Sequence, residues 1–306
     1  GHDVDAAGQR TVEIIARAGF RQRNGLGAVV IVPTRELAIQ VYHELETLAT
    51  HHGQNFNPVG GGRANHLTLF NDLQVPWKGC VEARAAPYDL EDTPPNPAIP
   101  DTLFVPWFWP DEPDSGISYV DGTDYKTNYM PDDYTRPSGV SNSQTAAARQ
   151  RNTSKYANRR ASATIDETPS ETFGPNKSCP EPLTPLTADA NAMRTKIADM
   201  RAWNNSGTNI AVGMSWGWSV LSPTPPFTEG APYEDNKTLK AMVILTDGEN
   251  EVFGGWSTHN RSDYSGYGYL AANRLGTTNR ATGVTRVNEK VTALCDKLKA
   301  RNIRLY

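Results

Sequence analysis

The residues 241–250 read AMVILTDGEN, an apolar run that leads directly into a Thr-Asp-Gly turn. Two more apolar runs occur, at residues 28–32 and at residues 303–306. Helical periodicity is indicated in four segments, whose apolar stripes are expected to face the core: residues 37–48, 190–200, 210–221 and 284–298. Short apolar runs that alternate with such helices are typical of parallel strands. The sequence therefore predicts an α/β fold built on a parallel sheet.

Length and composition narrow the class of protein. The 306 residues, of which 38% are hydrophobic and 21% charged, are typical of a soluble globular protein. No run approaches the roughly 18 apolar residues that a membrane span needs, so we expect no membrane span in this chain. A net charge of -4 argues against a surface built wholly for polyanions, although a local basic patch stays compatible with it.

The composition of residues 85–185 differs from that of the rest of the chain. They contain 15 of the 22 prolines and no long periodic segment. Aromatic residues at positions 104–109 are numerous enough to bury a large area, which disordered segments lack. We therefore expect a long, proline-rich, irregular insertion that packs onto the α/β core, and we expect its basic run at residues 149–160 to be a solvated helix face.

The residues 30–44, VIVPTRELAIQVYHE, describe a strand, a Pro-Thr-Arg turn and an amphipathic helix. This string resembles DEAD-box RNA helicases, and the resemblance extends over about residues 1–66, so that residues 1–68 are expected to be a helicase-like fragment. It implies a fragment of a RecA-like α/β domain that contacts RNA. On this resemblance Thr34 and Arg35 donate hydrogen bonds to RNA phosphates, and the glycine run around Gly61 lets the RNA backbone approach closely.

Two helicase elements are not found in the sequence. The lead-in at residues 1–4 is followed by AAGQR rather than by a phosphate-binding loop ending in Gly-Lys-Ser/Thr, and no Asp-Glu-Ala-Asp string occurs. No nucleophile, base and orienting acid form a recognisable arrangement either. We therefore expect a protein that is not an enzyme.

A second resemblance begins near residue 69. The strings WKGCVEAR (residues 77–84), DTLFVP (101–106), SGTNI (206–210) and LTDGEN (245–250) resemble TadG-like proteins of bacterial tight-adherence pilus assembly. Such proteins are similar to von Willebrand factor A domains. Residues 69–306 are therefore expected to form an incomplete von Willebrand A-like parallel sheet with the insertion at residues 85–185. The resemblance implies a binding module of the bacterial cell envelope or periplasm, normally membrane-anchored, whose partners are pilus-assembly or envelope proteins.

The same resemblance implies a metal site and a disulfide. Thr208 and Asp247 match a hydroxyl and a carboxylate ligand, and oxygen donors suit Mg²⁺ or Mn²⁺. A helix cap and a Thr-Asp-Gly turn are the ordinary alternatives for these two residues. The first metal-binding loop of the family has no counterpart upstream, so weak binding is expected. Cys80 and Cys179 bracket the insertion and are expected to pair in an oxidising periplasm, which leaves Cys295 without a partner.

The preferred interpretation is a chimera, in which helicase-like sequence replaces the first strand and the metal loop of a pilus-assembly or adhesion-type binding module. The alternative is a fragment of an ATP-dependent RNA helicase that binds nucleic acid without a working ATPase site. A third interpretation is that the join between the two parts arose in sequence assembly or gene prediction.

Overall fold

A computed structural model describes residues 26–33, 65–114, 127–131, 146–168, 173–201, 203, 207–246, 248–254 and 257–306. Three parallel strands form its sheet: β1 (Leu26–Pro33), β2 (Leu239–Leu245) and β3 (Arg304–Leu305), in the order β1-β2-β3. The predicted α/β class with a parallel sheet is confirmed.

Strand β1 comes from the helicase-like part of the sequence and pairs with β2 from the other part. The register runs from Leu26 opposite Leu239 to Pro33 opposite Leu245, with one irregularity between Leu26 and Ala28. Both strands therefore end at the same edge of the sheet. The two sequence parts contribute to one sheet, although more than 200 residues separate the paired strands.

The described residues contain five α-helices: α1 (His66–Leu73), α2 (Ala146–Arg151), α3 (Ala190–Asp199), α4 (Ile210–Leu221) and α5 (Arg280–Ala300). Short 3-10 helices occupy Tyr88–Leu90, Pro100–Thr102, Thr153–Tyr156, Arg160–Ser162 and Leu270–Ala272. An Asn or Asp side chain caps the amino end of four α-helices, and each accepts a hydrogen bond from a backbone N–H of the first turn: Asn65, Asp189, Asn209 and Asn279.

Helices α4 and α5 supply much of the core around the sheet. Ten of the twelve residues of α4 are buried, which agrees with its apolar sequence IAVGMSWGWSVL. Helix α5 buries a narrow stripe that includes Val287, Leu294 and Leu298, each at most 1% exposed. This spacing of seven and four residues places the three side chains on one face of the helix.

Helix α3 departs from the expectation that its apolar stripe faces the core. None of its residues is buried, and Met193 and Ile197 are only partly covered. The expectation was wrong because periodic spacing shows that a helix can bury one face, while burial itself requires a neighbouring element to cover that face.

The insertion has irregular backbone, yet its side chains are part of the core. Phe108 and Trp109 are at most 1% exposed, and the Phe108 ring lies edge-on to Phe70 of α1 with 4.9 Å between centroids. The basic run at residues 149–160 is not wholly solvated as expected. The Nζ of Lys155 is 2.8 Å from a carboxylate oxygen of Asp111, and both side chains are 0% exposed. The insertion is therefore held together by a buried ion pair as well as by the packing of aromatic side chains.

Within the described ranges, no helix combines the length and the apolar character that a membrane crossing requires.

Candidate functional site at the carboxyl edge of the sheet

The carboxyl ends of β1 and β2 lie side by side. Pro33 is the last residue of β1 and pairs with Leu245, the last residue of β2. Neighbouring strands of a sheet are about 4.8 Å apart, and ligands of open parallel sheets bind beyond this edge. Leu245 is 42% exposed, so the edge is open to solvent at this point. Thr34 and Arg35 follow Pro33 in the chain, and they and Gly61 lie outside the described residues.

The turn after β2 lies against Thr208. The hydroxyl of Thr246 donates to the carbonyl of Gly248 at 2.8 Å, and the Gly248 N–H donates back to that hydroxyl at 3.2 Å. A Cβ placed on Gly248 would be 3.3 Å from the Thr208 hydroxyl oxygen. The structure thus brings the Thr208 loop and the Thr246–Gly248 turn into contact. Asp247 itself lies outside the described residues.

Two asparagines fix the position of Thr208. The side-chain carbonyl of Asn250 accepts from the Ile210 N–H at 2.7 Å, and its amide donates to Asn288 of α5 at 2.8 Å. The Glu251 N–H donates to the Thr208 carbonyl at 2.9 Å. These bonds tie the start of α4, the loop after β2 and α5 together. Sequence reasoning missed Asn250, whose place two residues after the Thr-Asp-Gly turn was the available signal.

The charge at this edge is acidic on the β2 side. Glu249 and Glu251 follow the turn and are exposed, and Glu251 lies 3.5 Å from Arg280 in an exposed ion pair. Exposed carboxylates favour a cation over an anion at the same place. Hydroxyl and carboxylate oxygens are ligands suited to Mg²⁺ or Mn²⁺. In the described part of the chain, no group of three or more His, Cys, Asp or Glu side chains is arranged to hold a metal ion.

Cys80 and Cys179 are joined by a disulfide, and Cys295 is a free, partly buried thiol. The disulfide is buried in a cluster with four aromatic residues: Trp107, Trp109, Tyr264 and Tyr269. Burial lowers the pKa of the neighbouring Lys177 to about 8, against the attraction of Glu112 and Asp263. The Lys177 ammonium lies 4.4 Å from the centre of the Trp109 ring.

Comparison with known proteins finds similarity in a short stretch of the chain. It is 45% identical over 63 residues to the ATP-dependent RNA helicase HAS1 of Mycosarcoma maydis, which is 21% of this chain and 11% of that protein. It is 49% identical over 51 residues to the DEAD-box ATP-dependent RNA helicase 51 of Arabidopsis thaliana, which is 17% of this chain and 9% of that protein. The chain therefore spans about a tenth of the length of these relatives. No family model matches the chain, and no solved structure does.

These comparisons confirm the resemblance to DEAD-box RNA helicases. They give no support to the resemblance of residues 69–306 to TadG-like and von Willebrand A proteins, or to pilus-assembly partners. Two expectations are wrong. The expectation that the protein is not an enzyme is contradicted because the relatives are ATP-dependent helicases, and a place in the bacterial envelope is contradicted because the relatives come from fungi and a plant.

Proposed function

We propose that the chain binds single-stranded RNA through its helicase-like segment, with Thr34 and Arg35 donating to phosphate oxygens and the backbone at Gly61 close to the RNA. The observation that carries this proposal is the pairing of Pro33 with Leu245. Because of this pairing, the first residue of the Pro-Thr-Arg-Glu-Leu-Ala string lies at the carboxyl edge of a parallel sheet, where ligands of such sheets bind. The similarity to RNA helicases over 51 to 63 residues supports the same reading.

The chemistry of the segment suits a few positioned contacts rather than strong electrostatic attraction. Residues 1–68 carry six basic and six acidic side chains, so the segment has no excess of positive charge. A guanidinium that donates to a phosphate makes a charge-assisted hydrogen bond, which is about twice as strong as a neutral one. Arg35 is therefore expected to contribute more to the affinity for RNA than any other single residue of the segment.

The test is a titration of fluorescein-labelled oligouridine, followed by fluorescence anisotropy at several salt concentrations. Arg35→Ala is expected to weaken binding roughly 10-fold, since hydrogen bonds to charged groups contribute about 1.5 to 3 kcal/mol. It should also reduce the slope of log K against log salt by about 0.7. Arg194→Ala, on the exposed helix α3, is the matched control. Equal affinities and slopes for the Arg35→Ala chain and the unaltered chain would contradict the proposal.

A second candidate function is cation-dependent binding of von Willebrand A type, in which Thr208 and Asp247 hold Mg²⁺ or Mn²⁺. The position of Gly248 near Thr208 favours it, because a Cβ placed on Gly248 would be 3.3 Å from the Thr208 hydroxyl and Asp247 is the residue before Gly248 in the chain. With two of the usual ligands, binding with a Kd of about 10 mM would stabilise the protein by only about 0.4 kcal/mol at 10 mM cation. A small rise in melting temperature with Mn²⁺ that Asp247→Asn removes, and Glu249→Gln preserves, would support this function. No rise in the unaltered chain would exclude it.

The proposed function also assigns separate roles to two parts of the chain. Residues 1–68 form the helicase-like RNA-binding part, and residues 69–306 form the larger α/β part with its insertion at residues 85–185. Because β1 pairs along its length with β2, we expect the two parts to unfold together in one transition rather than separately.

A further inference from the structure

The buried pair of Lys155 and Asp111 in the insertion holds an amine against a carboxyl group. The Lys155 Nζ donates to Asp111 Oδ2 at 2.8 Å and to the Asp111 backbone carbonyl at 2.8 Å. Both side chains are 0% exposed. These two hydrogen bonds fix the Nζ beside the carboxyl carbon, because that carbon is bonded to Oδ2. An amine and a carboxyl carbon held so close together are the two reacting groups of an amide bond.

The other oxygen of the Asp111 carboxyl group has donors that are placed as in an oxyanion hole. Asp111 Oδ1 accepts from the Tyr129 N–H at 2.9 Å and from the Met130 N–H at 2.8 Å. Backbone N–H groups at such distances stabilise the negative charge that develops on a carbonyl oxygen when a nucleophile attacks its carbon. The two oxygens therefore differ in their surroundings, since Oδ1 is held by backbone donors while Oδ2 faces the amine.

Aromatic residues next to the pair keep it away from solvent. The Tyr156 hydroxyl accepts from the Asp111 N–H at 3.0 Å, and the Tyr129 hydroxyl donates to the Trp109 carbonyl at 3.0 Å. All three aromatic side chains are at most 1% exposed. A site that excludes water protects a reactive carbonyl group from hydrolysis, and it also disfavours the reversal of any step that releases water.

Burial also favours the uncharged forms of the two groups. It raises the pKa of Asp111 above the usual value, and the attraction of Lys155 and the backbone hydrogen bonds offset this rise only in part. Transfer of a proton from the ammonium group to the carboxylate removes both charges from the interior, where separate charges are unfavourable. The amine that remains is the nucleophilic form of lysine.

We propose that Lys155 and Asp111 condense to an amide crosslink within the chain. After a proton passes from Nζ to Oδ2, the Nζ lone pair attacks the carboxyl carbon, and the new negative charge on Oδ1 is stabilised by its two backbone donors. A second proton then passes from nitrogen to Oδ2, the bond between carbon and Oδ2 breaks, and water leaves. An ammonium group and a carboxylate thus become an amide and one water molecule, so no further reactant is required.

The crosslink adds a property that is independent of RNA binding. It joins two positions of the insertion that are 44 residues apart in the chain. Unlike the disulfide between Cys80 and Cys179, an amide is not broken by a reducing agent. The insertion would therefore stay covalently closed at this point in a reducing compartment as well as in an oxidising one.

A second lysine–aspartate pair provides an internal control. The Lys290 Nζ donates to Asp89 Oδ2, but the Lys290 side chain is 15% exposed. No backbone N–H of a described residue donates to Asp89 Oδ1. This pair therefore has the amine and the carboxyl group without the donors and the full enclosure, and it should remain an ion pair.

The experiment is mass spectrometry of the folded chain after its disulfide has been reduced and the chain denatured. The unaltered chain is expected to be lighter than its sequence by the mass of one water molecule. Trypsin should fail to cleave after Lys155, and the peptides that contain Lys155 and Asp111 should be recovered as one joined species. Lys155→Arg and Asp111→Ala should both restore the full mass, whereas the control Lys290→Met should keep the loss of water.

The unaltered chain decides the question by itself, so the result does not depend on whether a variant folds. A full sequence mass, with normal tryptic cleavage after Lys155, would overturn the proposal. Loss of water can also arise when an aspartate before a glycine forms a succinimide, and the chain has such aspartates at Asp121 and Asp247. A water loss that maps to either of these residues, while Lys155 is cleaved normally, would overturn the proposal equally.

Discussion

Removal of the Cys80–Cys179 disulfide should destabilise the protein strongly. The two cysteines are 99 residues apart in the chain, and the bridge closes a loop that contains most of the insertion. A crosslink of this kind acts mainly on the unfolded chain, because it removes conformations that the open chain would otherwise explore. The relevant variant is Cys80→Ala with Cys179→Ala, and Cys295→Ala is the matched control that removes the free thiol.

The size of the effect follows from the loop length. Closing a loop of about 100 residues reduces the entropy of the unfolded state by an amount equivalent to about 4.7 kcal/mol at 25 °C. Domains are commonly stable by only about 5 to 15 kcal/mol in total. The double variant is therefore expected to lose a third or more of its free energy of unfolding, and with a urea m-value near 3 kcal/mol/M its midpoint should fall by about 1.5 M.

Urea unfolding followed by tryptophan fluorescence measures this loss, because Trp107 and Trp109 lie in the same buried cluster as the disulfide. Mass spectrometry of the non-reduced protein first establishes that the crosslinked peptide is present. The unaltered chain in reducing agent should then unfold at the midpoint of the double variant. Cys295→Ala should unfold close to the oxidised, unaltered chain.

Two results would refute the reasoning. Three free thiols after oxidative refolding would show that the pairing does not form in solution. A verified crosslink whose removal costs less than about 1 kcal/mol would show that the unfolded chain is already compact across this loop, so that closing it removes little entropy.

Two further predictions concern buried polar groups. The pKa of Lys177 is lowered to about 8 in the folded protein, whereas an unfolded lysine titrates near 10.4. Between these values the unfolded state binds more protons, so the free energy of unfolding should rise from pH 8 to pH 10. Lys177→Met should flatten this rise in urea titrations and Lys196→Met should keep it; an unchanged slope in Lys177→Met would contradict the assignment. Asn250→Ala removes the bonds to Ile210 and Asn288 and should cost about 1 to 3 kcal/mol of unfolding free energy in the same assay, whereas a cost below 0.5 kcal/mol would show that these bonds do not hold α4 in place.

The hydrophobic pattern of the sequence was sufficient to predict strand β2 and the buried face of helix α5. The apolar run at residues 242–245 lies in β2, and the stripe that contains Val287, Leu294 and Leu298 is the buried face of α5. In these elements burial follows from periodicity, because each has a neighbour that covers it. Helix α3 has an equally regular stripe and stays uncovered. The sequence carries no local signal that distinguishes the two cases.

Polar contacts between residues far apart in the chain could not be predicted from the sequence. Lys155 lies in a basic run typical of a solvated helix face, yet Asp111, 44 residues earlier in the chain, accepts from its ammonium group at 2.8 Å in a fully buried pair. Burying two charges is unfavourable unless they meet each other with good geometry and with their other hydrogen bonds made. The Asp111 carboxylate also accepts from the backbone N–H groups of Tyr129 and Met130. Only the folded chain shows that all these partners coincide.

The pairing of β1 with β2 explains how two dissimilar sequence parts can share one sheet. Parallel strands are joined through backbone N–H and carbonyl groups, which are the same in every non-proline residue. A short apolar strand can therefore complete a sheet edge whatever family its sequence resembles, provided that it has the length and the β-branched residues that a strand favours. The segment VVIV at residues 29–32 meets both conditions. The ladder does not specify the segment that follows each strand, and the residues proposed to bind RNA or a cation belong to these segments: Thr34 and Arg35 after β1, and Asp247 after β2. Because the register brings Pro33 opposite Leu245, a shift of β1 by two residues would keep its side chains on the same faces but move the Thr34 end about 6.6 Å along the sheet. The contacts proposed at this edge therefore depend on the register of β1 as well as on its presence.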